Sequence, residues 1–123
     1  MLAIGTDLLD SERIGAALKR HGERFVERIL TPAERSIYFH RQNSVNFLAK
    51  QFAAKEALAK ALGTGIAKGV GFQQLEVLRN EQGAPVVNLY GVAQERLHAL
   101  GGQQALVSLA DEGTLILAFA VLA

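Results

Sequence analysis

Two acidic residues in this 123-residue sequence stand where packing would otherwise favour apolar side chains. At about 100° per residue, Val45, Leu48, Phe52, Glu56 and Ala59 fall within an arc of about 80° on one helix face, so Glu56 lies inside an apolar stripe. A carboxylate buried there without a partner costs several kcal/mol or keeps its proton, so the position asks for a cation, a metal ion or an edge open to a cleft. Lys60 follows one turn later, and a plain Glu56–Lys60 surface pair worth about 0.2–0.5 kcal/mol is the alternative. Asp7 is the second acid, two residues after Gly5, where the missing side chain lets another group approach the backbone. Its alternative is a hydrogen bond to the following turn. Together Asp7 and Glu56 would make a two-carboxylate oxygen site suited to Mg2+, which commonly takes one or two protein carboxylates and completes its octahedron with water and phosphate oxygens. A phosphate-bearing substrate follows. Lys60 and the backbone around Gly63, Thr64 and Gly65 would meet its further charge.

These side chains need elements to hold them. Alternation over residues 1–9 predicts a first strand. Asp10, Ser11 and Glu12 start a helix that Gly22 interrupts, and a further helical stretch covers 23–30. Thr31, Pro32 and Glu34 form a capping box with proline in the first turn, which opens a short helix. Ser44 caps the longest helix, 45–62, and Gly63-Thr64-Gly65 ends it. Residues 75–78 and 86–90 read as strands flanking a turn at 80–83, and 91–100 as a short helix. Residues 105–109 and 115–122 read as apolar strands joined around Asp111-Glu112-Gly113. The class is α+β: a small antiparallel sheet packed on one long buried helix, with short helices around it.

Length, with half the residues apolar and a fifth charged, predicts one domain over 1–123 with a real core. A net charge of +1 gives no overall field for nucleic acid or an anionic membrane, and the absence of cysteine removes disulfides, thiolate zinc sites and a thiol nucleophile. No apolar run approaches the roughly 20 residues that span a bilayer, so a cytoplasmic location is the expectation. Charge is uneven: residues 1–41 hold seven Lys/Arg and six Asp/Glu, 42–69 hold four and one, and 70–123 hold two and five. The three histidines fit no ligand spacing.

Taken in order, Ile4-Gly5-Thr6-Asp7 with Arg13, Phe52-Ala53-Ala54-Lys55-Glu56-Ala57 with Lys60 and Gly63-Thr64-Gly65, and Gly83-Ala84-Pro85 resemble the holo-acyl-carrier-protein synthase family of 4′-phosphopantetheinyl transferases across nearly the whole chain. The resemblance implies transfer of 4′-phosphopantetheine from coenzyme A to a serine of acyl carrier protein, with release of adenosine 3′,5′-bisphosphate. It implies Mg2+ held by Asp7 and Glu56, and Glu56 and Lys60 as catalytic residues. Lys55, Lys60, Gly63, Thr64, Gly65 and Pro85 would contact coenzyme A, and the assembly would be a homotrimer with clefts between subunits. Two positions depart from the family pattern: Gln51 stands where an Arg is common, so an Arg contact to phosphate is lost, and Ala110, between Ser108 and Asp111, lacks a hydroxyl.

Arg20, Arg24 and Arg28 are spaced four apart and would share a face if Gly22 does not break the helix. Alone they read as a solvated surface. With the resemblance they become a surface for an acidic carrier, joined by Arg13 and with Phe25 as an apolar anchor. A double-stranded RNA-binding module is the rival reading of the Ala/Lys-rich helix, but Glu56 follows Lys55 directly where clustered lysines would be needed. A Mg2+-dependent nucleotide hydrolase would use the same carboxylates and leave the arginines unexplained. No nucleic acid and no membrane are therefore expected as partners.

Overall fold

Small inward residues open the chain. In the computed structural model, which describes residues 2–123, β1 (Ala3–Asp10) turns Gly5 and Leu9 into the protein and Ile4 and Leu8 outward. Met1, expected at the head of this strand, lies outside the described residues. Asp10 Oδ1 accepts from the Glu12 amide at 2.9 Å and starts α1 (Ser11–His21). Gly22, at φ +60°, breaks the helix before α2 (Glu23–Ile29). The capping box forms as expected: Thr31 Oγ1 accepts from the Glu34 amide at 3.2 Å and Glu34 Oε1 from the Thr31 amide at 2.8 Å, opening α3 (Pro32–His40). Ser44 caps α4 (Val45–Ala61) through the Phe47 amide at 3.1 Å. At its far end Gly63, at φ +79°, turns the chain so that the Thr64 and Gly65 amides reach the Ala59 carbonyl at 3.2 and 3.1 Å.

After a short 3₁₀ turn at 72–74 come β2 (Leu75–Arg79), β3 (Pro85–Leu89), α5 (Gly91–Ala99), β4 (Ala105–Glu112) and β5 (Leu115–Leu122). The expected single sheet is two. β1, β5 and β4 pair antiparallel in that order, and β2 and β3 form a separate antiparallel pair, with β3 lying against β4. The last hairpin is tighter than expected, because Asp111 pairs with Ile116 and Glu112 with Leu115, which leaves Gly113 and Thr114 to turn. No helix among the described residues is long and apolar enough to cross a membrane.

α4 carries a second correction. The sheet covers one side and α1, α2 and β2 pack on others, so residues at nearly every angle are buried, among them Phe47, Leu48, Ala53, Ala57, Leu58 and Ala61. Full burial of each large apolar side chain here stabilises by about 1.5–3 kcal/mol. The stripe through Val45, Phe52 and Glu56 is the half-buried rim of this helix, not its most buried face. Glu56 therefore stands at an edge.

Small residues set the helix-to-sheet distance. A Cβ at Gly5 would overlap the Ala57 carbonyl oxygen and come within 2.6 Å of the Ala61 amide nitrogen, both backbone atoms that cannot swing away. Gly5→Ala should therefore cost about 2 kcal/mol or more, read as a lowered urea midpoint, whereas a variant matching the parent contradicts this packing.

Candidate active site on β1 and α4

Asp7 lies on the inward parity of β1, two residues past the contact at Gly5, so its side chain rises beside α4. Lys60 reaches it from the helix: Nζ donates to Asp7 Oδ1 at 3.1 Å and to the Thr6 carbonyl at 3.0 Å. The ammonium thus bonds across to the strand, and the one-turn pair with Glu56 considered above is not formed. No donor among the described residues bonds the Glu56 carboxylate, whose pKa is pushed above the usual range first by burial and then by the charge of Asp7, with Lys60 offsetting part of the rise. Two neighbouring carboxylates, one of them raised in proton affinity by the other's charge and left with uncommitted oxygens at a half-open edge, form a donor set that fits a hard cation such as Mg2+.

The Gly-rich exit of α4 continues this surface. Gly63 and Thr64, with Lys68, Val92 and Arg96, line a cleft of about 250 Å³. Thr64 Oγ1 donates to the Gly65 carbonyl at 2.8 Å, and Arg96 Nε caps the helix end through the Leu62 carbonyl at 2.9 Å. Lys68 and Arg96 escaped the sequence reading, since neither sits in a motif; the turn glycines around Lys68 were the available signal.

Lys55 corrects an expectation. Its side chain is 0% exposed, and Nζ donates to Glu34 Oε1 and the Ile29 carbonyl at 2.6 Å and to the Phe72 carbonyl at 3.0 Å, which uses all three of its protons. It faces away from any cleft and cannot hold coenzyme A in this arrangement. Burial lowers its pKa, with Glu34 opposing the shift. Gln51 enters the same network: Nε2 donates to Glu34 Oε2 at 2.7 Å and to the Val77 carbonyl at 2.8 Å. Position 51 therefore meets a buried carboxylate, not a phosphate. The network runs on through Thr31 Oγ1, which donates to Glu76 Oε2 at 2.7 Å, to Tyr90, whose hydroxyl donates to Glu76 Oε1 at 2.8 Å.

Pro85 lies apart from the carboxylates. It opens β3 opposite Arg79, and the guanidinium groups of Arg79 and Arg41 lie 5.3 and 5.1 Å from the centre of the Phe47 ring. Phe47 and Glu56 are nine positions apart on α4, about half a turn round the helix. One chain therefore places the expected coenzyme A contacts on two sides of its central helix. Asp111 likewise sits on β4, where it holds Lys50 Nζ at 3.4 Å and Asn46 Nδ2 at 3.2 Å; Ser108 is exposed on the same strand.

The basic cluster survives the break at Gly22. Arg20, Arg24, Phe25 and Arg28, with His21, line a groove of about 420 Å³ between α1 and α2. Arg13 is exposed on α1 but does not line it.

A family model described as the 4′-phosphopantetheinyl transferase superfamily matches residues 3–118. The holo-[acyl-carrier-protein] synthase of Shewanella amazonensis is 48% identical over 122 residues, covering 99% of this chain and 98% of that protein. That of Halorhodospira halophila is 46% identical over 119 residues, 97% of this chain and 94% of that one. Among solved structures, the synthase of Neisseria meningitidis superposes with a TM-score of 0.87 at 40% identity, covering 100% and 98% of the two chains. The Helicobacter pylori synthase in complex with coenzyme A does so with a TM-score of 0.86 at 28% identity, covering 98% and 99%.

Two expectations follow from the geometry. A raised pKa means that the fold favours protonated Glu56, so the stability this group contributes is full below the ordinary carboxylate pKa and is lost as pH rises through the raised value. Metal-free Glu56→Gln should then melt above the parent at pH 7, with the gap closing towards about pH 4; a lower melting temperature at pH 7 contradicts the assignment. Lys55→Met leaves Glu34 buried and uncompensated and should cost about 3–5 kcal/mol, seen as a large drop in urea midpoint. An unchanged midpoint would mean Lys55 is not sealed in the core.

Proposed function

The chain belongs to the 4′-phosphopantetheinyl transferase superfamily, and from that premise we propose that it moves 4′-phosphopantetheine from coenzyme A to a serine hydroxyl of apo acyl carrier protein and releases adenosine 3′,5′-bisphosphate. The observation that carries this reading is the convergence of Asp7, Glu56 and Lys60 on one open edge of α4. Residues 1–123 act as one transferase domain in this account, in the cytoplasm and in the service of fatty acid synthesis.

The reaction is phosphoryl transfer, in which positioning and charge neutralisation dominate. The serine oxygen forms a bond to the phosphorus on the pantetheine side of the pyrophosphate, the bond from that phosphorus to the bridging oxygen breaks, and the bisphosphate leaves with the electron pair. Glu56, whose carboxylate accepts no hydrogen bond from the described residues, takes the serine proton, a contribution of about 10²–10⁴ in rate. Lys60 meets the charge that develops on the leaving group. Asp7 and Glu56 would hold Mg2+, which supplies Lewis-acid neutralisation of the pyrophosphate. Gly63 and Thr64, with Lys68 and Arg96 in the same cleft and Gly65 next in the chain, flank the site along the substrate's path.

A homotrimer accounts for the split set of coenzyme A contacts. Even-numbered β1 residues and odd-numbered β5 residues point outward, which leaves Ile4 52%, Leu8 66%, Leu117 45% and Phe119 39% exposed on one face of the three-stranded sheet. An apolar sheet face of this kind is covered by further copies of the chain, which would bring the Pro85 and Arg79 side of one subunit to the Asp7 and Glu56 edge of the next. The arginine groove on α1 and α2 would receive the acidic carrier, with Phe25 as its anchor and Arg13 at its margin.

Incubation with coenzyme A, Mg2+ and apo acyl carrier protein, followed by mass spectrometry of the carrier, tests the reading. The expected result is a mass gain of one phosphopantetheine that Asp7→Asn and Glu56→Gln abolish; no gain, or hydrolysis of coenzyme A without transfer, overturns it. Arg24→Glu should raise KM for the carrier about tenfold and flatten its dependence on salt while KM for coenzyme A stays put. Equal KM across a salt series would reduce the groove to plain surface.

A further inference from the structure

Among the described residues, Lys60 is the one cation bonded to Asp7 of the carboxylate pair, and its bonds are of an exchangeable kind. Nζ donates to Asp7 Oδ1 at 3.1 Å and to the Thr6 carbonyl at 3.0 Å, while the side chain remains 51% exposed. Lys55, five residues earlier on the same helix, is 0% exposed with all three donors committed. Two lysines of one helix thus differ in what their ammonium groups can do: one is locked, the other is free to leave through solvent.

We infer that Lys60 is the resident cation of the two-carboxylate site, holding Asp7 until a divalent cation binds there and then turning from β1 to a phosphate oxygen of the substrate. This rests on the metal site proposed above. An ammonium and a hard divalent cation compete for the same carboxylate, and once Asp7 is neutralised by the stronger charge, Lys60 keeps on the strand only the Thr6 carbonyl, a neutral acceptor and the weaker partner. The flexible four-carbon stem lets the head swing without repacking the helix. The site goes from partly offset before loading, two carboxylates with one ammonium, to fully offset afterwards, two carboxylates with a divalent cation, which frees the ammonium for the arriving pyrophosphate. Metal loading thereby prepares the phosphate contact, so the two ligands favour one another through Lys60.

The test uses the free protein without coenzyme A, with 15N-labelled lysine and Mg2+ as the only ligand. The Lys60 ammonium resonance, assigned by its loss in Lys60→Arg, should shift and exchange faster with water as Mg2+ saturates, while the Lys55 resonance stays fixed. Calorimetry should show Lys60→Met binding Mg2+ about threefold or more tightly than the parent, because the competitor is gone. A Lys60 resonance unmoved at saturation, or equal or weaker Mg2+ binding by Lys60→Met, overturns the inference and leaves the metal site standing. No Mg2+ binding by the parent, or binding that Asp7→Asn does not weaken, overturns the metal site and the inference together.

Discussion

Everything at the candidate site depends on how closely β1 approaches α4. A strand and a helix come into backbone contact only where side chains are absent or small, and here Gly5 faces the Ala57 carbonyl and the Ala61 amide, with Ala118 and Ala120 buried beside it on β5. Asp7 lies one inward position further along the strand. At that spacing it can touch an ammonium on the helix and raise the proton affinity of the Glu56 carboxyl, neither of which a strand held off by larger side chains would achieve. A packing detail therefore sets an electrostatic one.

The opposite side of α4 is fixed by polar contacts. Glu34 closes the capping box of α3 and at the same time accepts from Lys55, Gln51 and the Val77 amide, so one carboxylate ties α3, α4 and β2 together. Charges withdrawn from water gain little net stability from pairing, but breaking such a pair is costly, which penalises any rotation of the helix that would move Lys55. With Lys55 held inward, its neighbour Glu56 must point about 100° away, towards the half-open rim. The roll of the helix and the exposure of its carboxylate are two aspects of one constraint.

Much of this was legible in the residues. Caps and turns were, because Asp10, Thr31, Ser44 and the glycines at 22 and 63 act through local backbone geometry that a few neighbouring residues decide. Asp7 and Glu56 stood out because a carboxylate in an apolar pattern is expensive wherever it is. What stayed hidden was direction. Periodicity locates a buried face when a helix has one, and α4 is buried nearly all round, so nothing in the spacing separated Lys55, which points to Glu34, from Lys60, which points to Asp7. Gln51 misled for the same reason, since its partner Glu34 lies seventeen positions away in sequence. The division of the strands into two sheets, and the placing of Pro85 across α4 from Glu56, follow from long-range pairing that the local alternation does not encode.

The near-neutral chain also separates its charges in space. Arginines gather on α1 and α2, the carboxylate pair sits on the β1–α4 edge, and a buried ion pair supports them from within. The central claim is that Asp7 and Glu56 form one metal-bearing edge completed by a neighbouring copy of the chain. Anomalous diffraction from crystals grown with Mn2+ in place of Mg2+ and with coenzyme A tests it most directly. The account predicts a metal peak shared by the Asp7 and Glu56 carboxylates, with the pyrophosphate against it and the Pro85 hairpin of an adjacent subunit on the nucleotide. A peak away from these two residues, or coenzyme A bound within a single subunit, would contradict it.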